Sequence, residues 1–306
     1  MLLGTLRGSG LSLTGLGTLA HRTAPAFWRQ YSEERRRPIL PAPHHPNPGA
    51  WPDTGLHAAW LGHSTVLLRV DGTTILTDPV FSRRIGLNIG PLTIGLKRLI
   101  EPALSPADVP VPDIVLLSHA HMDHFDLPSL RGLESPRTRV VTASRTSDLI
   151  RVERYGAVHE LAWGEEVRIG HALIRAFQVN HWGARMRSDT YRGFNGYVIE
   201  TPRHRVLFAG DTAMSHNFAS LHASRPIDLA IMPIGAYNPW IHAHCTPEQA
   251  LRMANDAGAE FILPVHHQTF HLSRESFDEP IRRLTNALET TPHRLALRSI
   301  GQEFHL

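Results

Sequence analysis

One short stretch, His119-Ala120-His121-Met122-Asp123-His124, carries more chemistry than any other in this 306-residue chain. Imidazole and carboxylate are suitable donors for zinc, and a centre that keeps a coordination position open retains a reactive water. The spacing suits two ions. Alternate side chains of an extended chain point the same way, so His119 and His121 can grip one ion. A turn immediately afterwards aims Asp123 and His124 at a second. The stretch follows Asp113 to Leu117, which reads as a buried strand, so the donors emerge at a strand end. The chain has 21 histidines, but chance rarely sets three histidines and an aspartate in this order directly after an apolar strand.

Three further donors follow the same local logic, a polar residue just beyond an apolar run. His181 follows Ala176-Phe177-Gln178-Val179-Asn180, Asp211 follows Val206-Leu207-Phe208-Ala209-Gly210, and His266 follows Phe261-Ile262-Leu263-Pro264-Val265. Gly210 permits a tight turn before Asp211. Taken singly, each reads as an ordinary surface or core residue. Taken together they complete a dinuclear set: His119, His121 and His181 on one ion, Asp123 and His124 on the other, and Asp211 between them. The last ligand of the second ion is His266 or its neighbour His267. Adjacent residues of an extended chain face opposite sides, so only one of them serves.

The elements that must position these donors are short. β-rich runs at 56–61, 65–70 and 73–77 are divided by the turn signal Asp71-Gly72. Further strands are predicted at 140–143, 166–178, 196–200, 205–209, 228–232, 261–265 and 294–299. Helices are predicted at 127–133, 146–155 and 276–289. Another runs from Thr246-Pro247-Glu248-Gln249, a capping box with proline at the first helical position, to about Ala257. Strands with helices interspersed in both halves predict a two-sheet sandwich with helices on its outer faces. Residues 85–100 form an unusually apolar connection in which Leu87, Ile89, Leu92, Ile94, Leu96 and Leu99 alternate with glycines. Such a segment reads as packing over the sandwich, or as a wall that receives an acyl chain.

Residues 1–54 read as an arm, and 55–306 as the catalytic domain. Met1 to Ala20 is a weak signal-peptide-like stretch broken by Gly10, Gly15 and Gly17, and the proline-rich 38–52 reads as an extended linker. No apolar run approaches the roughly 18–20 residues that cross a bilayer. Cys245 is the sole cysteine, which excludes an internal disulfide framework and removes thiolates from most metal schemes. Lys97 is the sole lysine, so the formal charge of +3 rests on arginine. No basic cluster alternates with aromatics, which argues against a nucleic-acid partner.

The chain resembles the metallo-β-lactamase superfamily, and within it the branch containing N-acylphosphatidylethanolamine-hydrolysing phospholipase D. The likeness spans about residues 55–300. It is carried by Trp60-Leu61-Gly62-His63-Ser64-Thr65, Leu76-Thr77-Asp78-Pro79-Val80-Phe81, the histidine motif, Asn180-His181-Trp182, Pro233-Ile234-Gly235-Ala236-Tyr237, His244-Cys245-Thr246-Pro247-Glu248-Gln249-Ala250 and Val265-His266-His267-Gln268-Thr269-Phe270. The resemblance implies an α+β four-layer αββα sandwich. It assigns the last ligand to His266, and His267 stands where the branch has tryptophan. It implies two zinc ions, with manganese or iron as alternatives, and a hydroxide between them as nucleophile. Two zinc ions against Asp123, Asp211 and that hydroxide leave about +1 of charge, suited to a phosphodiester. Asp123 would handle the nucleophile's proton, and His244 matches a substrate-side histidine of the branch.

The expected activity is therefore a phospholipase D-like phosphodiesterase acting on a small-molecule or lipid phosphodiester. The expected location is the cytoplasm with peripheral membrane contact, and an oligomer is compatible with the sequence. Carboxyl-ester or lactone hydrolysis, nucleic-acid processing and a non-enzymatic binding role are the alternatives. Two further residues have local readings. Asp78, ending a strand before Pro79, is either an acceptor that fixes a ligand tautomer or an ordinary turn aspartate. His63 reads first as a structural imidazole bonded to backbone.

Overall fold

The computed structural model describes residues 36–306 except 90, 91, 223 and 224. By its contacts the chain divides after Pro38, and the fold below is that of the second unit, Ile39–Leu306. The signal-peptide-like reading of Met1 to Ala20 lies outside the described residues.

Within the second unit the strands are β1 (Leu56–Gly62), β2 (Thr65–Val70), β3 (Thr73–Thr77), β4 (Arg84–Ile89), β5 (Leu92–Lys97), β6 (Ile114–Leu116), β7 (Arg139–Ala143) and β8 (Ala157–Leu161). There follow β9 (Glu166–Ile169), β10 (Ala172–Phe177), β11 (Gly196–Glu200), β12 (Arg205–Phe208), β13 (Ile227–Pro233), β14 (Ala259–Val265) and β15 (Glu303–His305). The α-helices are α1 (Leu127–Gly132), α2 (Pro247–Asp256) and α3 (Glu279–Ala287). One sheet has the order β15-β1-β2-β3-β6-β7-β8, the other β14-β13-β12-β11-β10-β9. In each, an antiparallel meander joins parallel strands: β3, β6, β7 and β8 in the first, β12, β13 and β14 in the second.

Alternation along the strands builds the layers, because neighbouring side chains leave a strand on opposite faces. Leu116, Val206, Phe208, Leu229, Ile231 and Leu263 belong to one buried cluster drawn from both sheets. Their neighbours point outward. Leu207, Ala230 and Met232 pack with Ala250, Met253 and Ala254 of α2 and Leu284 of α3. Val115, Leu117 and Val140 pack with Leu130 of α1. Helices therefore cover both outer faces, the four-layer αββα arrangement. Helix α2 begins as its sequence requires: Thr246 Oγ1 accepts from Gln249 N (3.3 Å) and Gln249 Oε1 accepts from Thr246 N (3.0 Å).

Two local expectations fail. Residues 146–155 form two 3-10 turns, Ser147–Leu149 and Val152–Arg154, not a helix. The Glu160 carboxylate takes the N–H groups of Arg145, Thr146 and Ser147, and the Arg192 guanidinium takes the Asp148 carboxylate, so tertiary partners override the local pattern. Residues 294–299 supply a single bridge, Leu295 to Ile262, and the terminal strand is instead β15, paired with β1. The apolar connection is a hairpin of β4 and β5. Ile85 of that hairpin is buried with Val80 and Phe270, and Leu96 packs beside them. The cross-strand partners Leu87 and Ile94 are 47% and 45% exposed. The side chains of Ile89 and Leu92 lie outside the described residues. Part of the proline-rich stretch is anchored, with Leu40 bridging to Ile100 and the buried Trp51 stacked on His57. Among the described residues no helix is long and apolar enough to cross a membrane.

Candidate metal centre

The donors gather where strands of both sheets end. β6 runs into Leu117 and Ser118, whose carbonyl accepts from Asn195 N (2.9 Å), and His119 bridges to Phe194. The histidine motif is thereby clamped to the second sheet. Gly210 holds a positive φ of 59°, and a Cβ there would lie 2.7 Å from the Ser118 side chain, so only glycine lets the two strand ends meet before Asp211. At the end of β14 His266 has φ 63°, and its carbonyl passes so close to Gly235 that a Cβ would sit 2.2 Å away.

The first group is an imidazole triad. His119 Nε2 and His181 Nε2 lie 2.8 and 3.2 Å from His121 Nδ1. His181 Nδ1 donates to the Ala243 carbonyl (2.9 Å), which fixes the tautomer and leaves the Nε2 lone pair facing the triad. The second group is His63, Asp123, His124 and His266. His124 Nδ1 donates to Asp78 Oδ2 (2.7 Å), so its Nε2 lone pair faces inward. His124 Nε2 lies 3.6 Å and His266 Nε2 3.5 Å from Asp123 Oδ2. Asp211 stands between the groups. Its Oδ2 is 3.1 Å from the Nε2 atoms of both His124 and His266, and 3.8 Å from His181 Nε2. His244 borders this set, with Nδ1 3.8 Å from Asp211 Oδ2.

All the predicted residues thus converge. His267 diverges and stacks on Trp60, ring centroids 4.5 Å apart. One reading changes and one open reading is decided. His63 is no backbone-bonded imidazole: its Nε2 donates to Asp123 Oδ2 (3.1 Å) from inside the cluster. Nothing local announced this, because the turn between β1 and β2 meets Asp123 only through the tertiary fold. Asp78 is the tautomer-fixing acceptor, fully buried, and it also takes Ser118 N (2.7 Å) and Ser118 Oγ (2.5 Å). A residue that the sequence reading missed is Arg185, whose Nη1 donates to the carbonyls of Ala120 (3.0 Å) and Phe125 (2.7 Å), bracketing the motif loop.

Electrostatics show that these residues fit cations. Burial pushes His63 and His181 down to about 3 and His244 to about 4, and it lowers His119 well below the ordinary imidazole range. Burial also opposes charge on His266, but Asp211 and Asp123 pull it up to about 9, and the same carboxylates raise His124. Asp123 and Asp211, disfavoured by burial, are nevertheless held well below the usual carboxylate range by the surrounding imidazoles. Two ionised carboxylates, Asp211 buried and Asp123 half-buried, thus demand positive charge at this spot. Yet His124 Nε2, His266 Nε2 and Asp211 Oδ1 find no hydrogen-bond partner of acceptable geometry. Donor atoms that converge on a common space without good hydrogen-bond geometry among themselves suit metal ligation. Above the donors opens a cavity of about 220 Å3 lined by Trp182, Trp240, Ala236, Leu272 and His244. Trp182 stacks on His181 at 4.5 Å.

An imidazole and carboxylate cluster at the strand ends of an αββα sandwich defines a metallohydrolase centre. The profile of the beta-lactamase superfamily domain matches residues 73–267, which include every donor named above except His63. The chain is 33% identical over 278 residues to an uncharacterized protein of Mycobacterium tuberculosis, covering 87% of this chain and 73% of that one. It is 29% identical over 255 residues to N-acyl-phosphatidylethanolamine-hydrolyzing phospholipase D 1 of Caenorhabditis elegans, covering 78% and 71%. Among solved structures it resembles Igni18, a metallo hydrolase of Ignicoccus hospitalis, with a TM-score of 0.62 at 20% identity over 83% of this chain and 99% of that one. The chain belongs to the β-lactamase superfamily. It is a metal-dependent hydrolase, on the branch with the phospholipase D relatives.

Proposed function

We propose that the protein is a dinuclear zinc phosphodiesterase of phospholipase D type, acting on lipid phosphodiesters related to N-acylphosphatidylethanolamine. In this reading residues 55–306 form the catalytic domain. His119, His121 and His181 hold one ion, and Asp123, His124 and His266 hold the other. The position of Asp211 carries the dinuclear assignment, since one carboxylate oxygen faces both groups within 3.1 to 3.8 Å. When bound, the ions would supply Lewis acidity and lower the pKa of a water held there toward about 7.

The protein's own groups do the rest. His181 and His124 are presented in fixed tautomers by Ala243 and Asp78. Asp123, hydrogen-bonded to His63, faces the cavity and can hold the proton of the attacking water. His244 lines the same cavity and stands ready to orient the substrate or protonate its leaving group. Trp182, Trp240 and Leu272 give the cavity an apolar rim. Trp240, Ile241, Leu87 and Ile94 are each 45–47% exposed, which supports contact with a lipid surface.

Elemental analysis of the purified protein should find about two metals per chain, and Asp211→Ala should lose at least one. A hydrolysis screen over N-acylated phospholipids, water-soluble phosphodiesters and lactones tests the activity. Turnover confined to lactones or carboxyl esters would overturn the phosphodiesterase assignment.

A further inference from the structure

A second, smaller cavity adjoins the metal centre. It holds about 50 Å3 and shares Ala236, His266 and Leu272 as wall with the cavity above the donors. Glu275 lines it. This carboxylate is 7% exposed. Its Oε2 receives one long hydrogen bond, from Asn238 N at 3.3 Å, and its Oε1 has no partner. No cation pairs with it among the described residues. An ionised carboxylate costs several kcal/mol to bury unless donors replace its hydration, so this site lacks a donor that the chain does not supply.

The geometry points to a substrate subsite: Glu275 accepts a hydrogen bond from an N–H group on the alcohol arm of the phosphodiester, amide or ammonium. This rests on the phosphodiesterase reading above. Three features favour an N–H group over other occupants. The cavity is small, about 50 Å3, with room for a few water-sized groups. It adjoins the metal cavity, with Ala236, His266 and Leu272 lining both. Glu275 Oε1 is an orphaned acceptor on its wall, beside the unpartnered ring nitrogens of His266 and His267, and a buried acceptor discriminates strongly against ligands with no hydrogen to give. A trimethylammonium group carries the same charge as a primary ammonium but has no N–H and is bulkier. It should be rejected.

The test compares two ligand pairs on the metal-loaded, full-length protein. Isothermal titration with O-phosphoethanolamine and O-phosphocholine should show the first binding about tenfold tighter or more, the range for a hydrogen bond to a charged group. The ratio of kcat/KM for ethanolamine-type over choline-type phosphodiesters should favour the former to a similar degree. In Glu275→Gln, which keeps an acceptor for Asn238 N but can turn its NH2 group toward the cavity, both ratios should fall toward one. Equal binding of the two phosphate esters by the wild type overturns the subsite without any variant. So does a Glu275→Gln protein that loses activity on both substrates in equal proportion, because Glu275 would then act through the Asn238 loop. Selective binding of phosphoethanolamine with no phosphodiester turnover leaves the subsite standing and sinks the activity reading alone. Turnover of phosphodiesters with no preference between the esters does the reverse.

Discussion

Asp78→Asn isolates the contribution of a group that touches no substrate. The wild-type carboxylate is fully buried and accepts three hydrogen bonds, from Ser118 N at 2.7 Å, Ser118 Oγ at 2.5 Å and His124 Nδ1 at 2.7 Å. Asparagine preserves the volume but replaces one acceptor oxygen with an NH2 group and removes the charge. At least one of the three donors must then lose its partner. A hydrogen bond to a charged group contributes about 1.5–3 kcal/mol, and loss of such an outer partner typically weakens a metal site by about 10- to 100-fold. The weakened site should be the one containing His124. The triad of His119, His121 and His181 should be less affected, although Ser118 also touches His119 Nδ1 at 2.8 Å. The assay is zinc titration against a chromophoric chelator, with melting curves of the metal-free proteins as a control for folding. If the variant held both metals as tightly as the wild type, the argument that Asp78 orients His124 would be refuted. A lower melting temperature with unchanged affinity would assign Asp78 to folding alone.

The neighbouring histidines should separate cleanly: His266→Ala should abolish turnover and weaken metal binding, whereas His267→Ala should keep both metals and lose stability through its stacking on Trp60, read by metal analysis and thermal melts. Exchange of these outcomes would place the ligand one residue later. Arg185→Met should weaken metal retention about tenfold, by analogy with other outer supports, because the Ala120 and Phe125 carbonyls lose their donor; dialysis followed by metal analysis reads it, and full retention would remove Arg185 from the support of the loop. Burial disfavours the Glu160 charge, but the N–H groups of Ser147, Arg145 and Thr146 hold its carboxyl below the ordinary range. Its stabilisation is therefore present above the unfolded pKa of about 4.3 and is lost as pH falls through the lowered folded value. Glu160→Gln should accordingly melt below the wild type at pH 7 and converge with it in acid, and a gap independent of pH would contradict that sign.

The candidate donor set was legible because its members follow apolar strands, a pattern that local hydrophobicity and residue type encode directly. His119 to His124, His181, Asp211 and His266 all fit it, as did the capping box of α2. The choice of His266 over His267 came from family likeness; in the structure His266, at a positive φ, faces the donor cluster while His267 lies against Trp60. What the chain order conceals is every partnership across the sandwich. His63 meets Asp123 across 60 residues and Arg185 meets Phe125 across the same separation, in contacts that exist only once the two sheets pack. Glu275 looks like any loop glutamate until folding buries it with one oxygen unpartnered. The apolar connection illustrates the same limit: its composition announced a surface of some kind, but only the tertiary structure decided that Ile85 is buried against Val80 and Phe270 while Leu87 and Ile94, further along the same face of the β4–β5 hairpin, are exposed. Local sequence determines which residues can be donors and where strands end. Long-range packing decides which of them meet, because burial and desolvation act between segments that the sequence keeps apart.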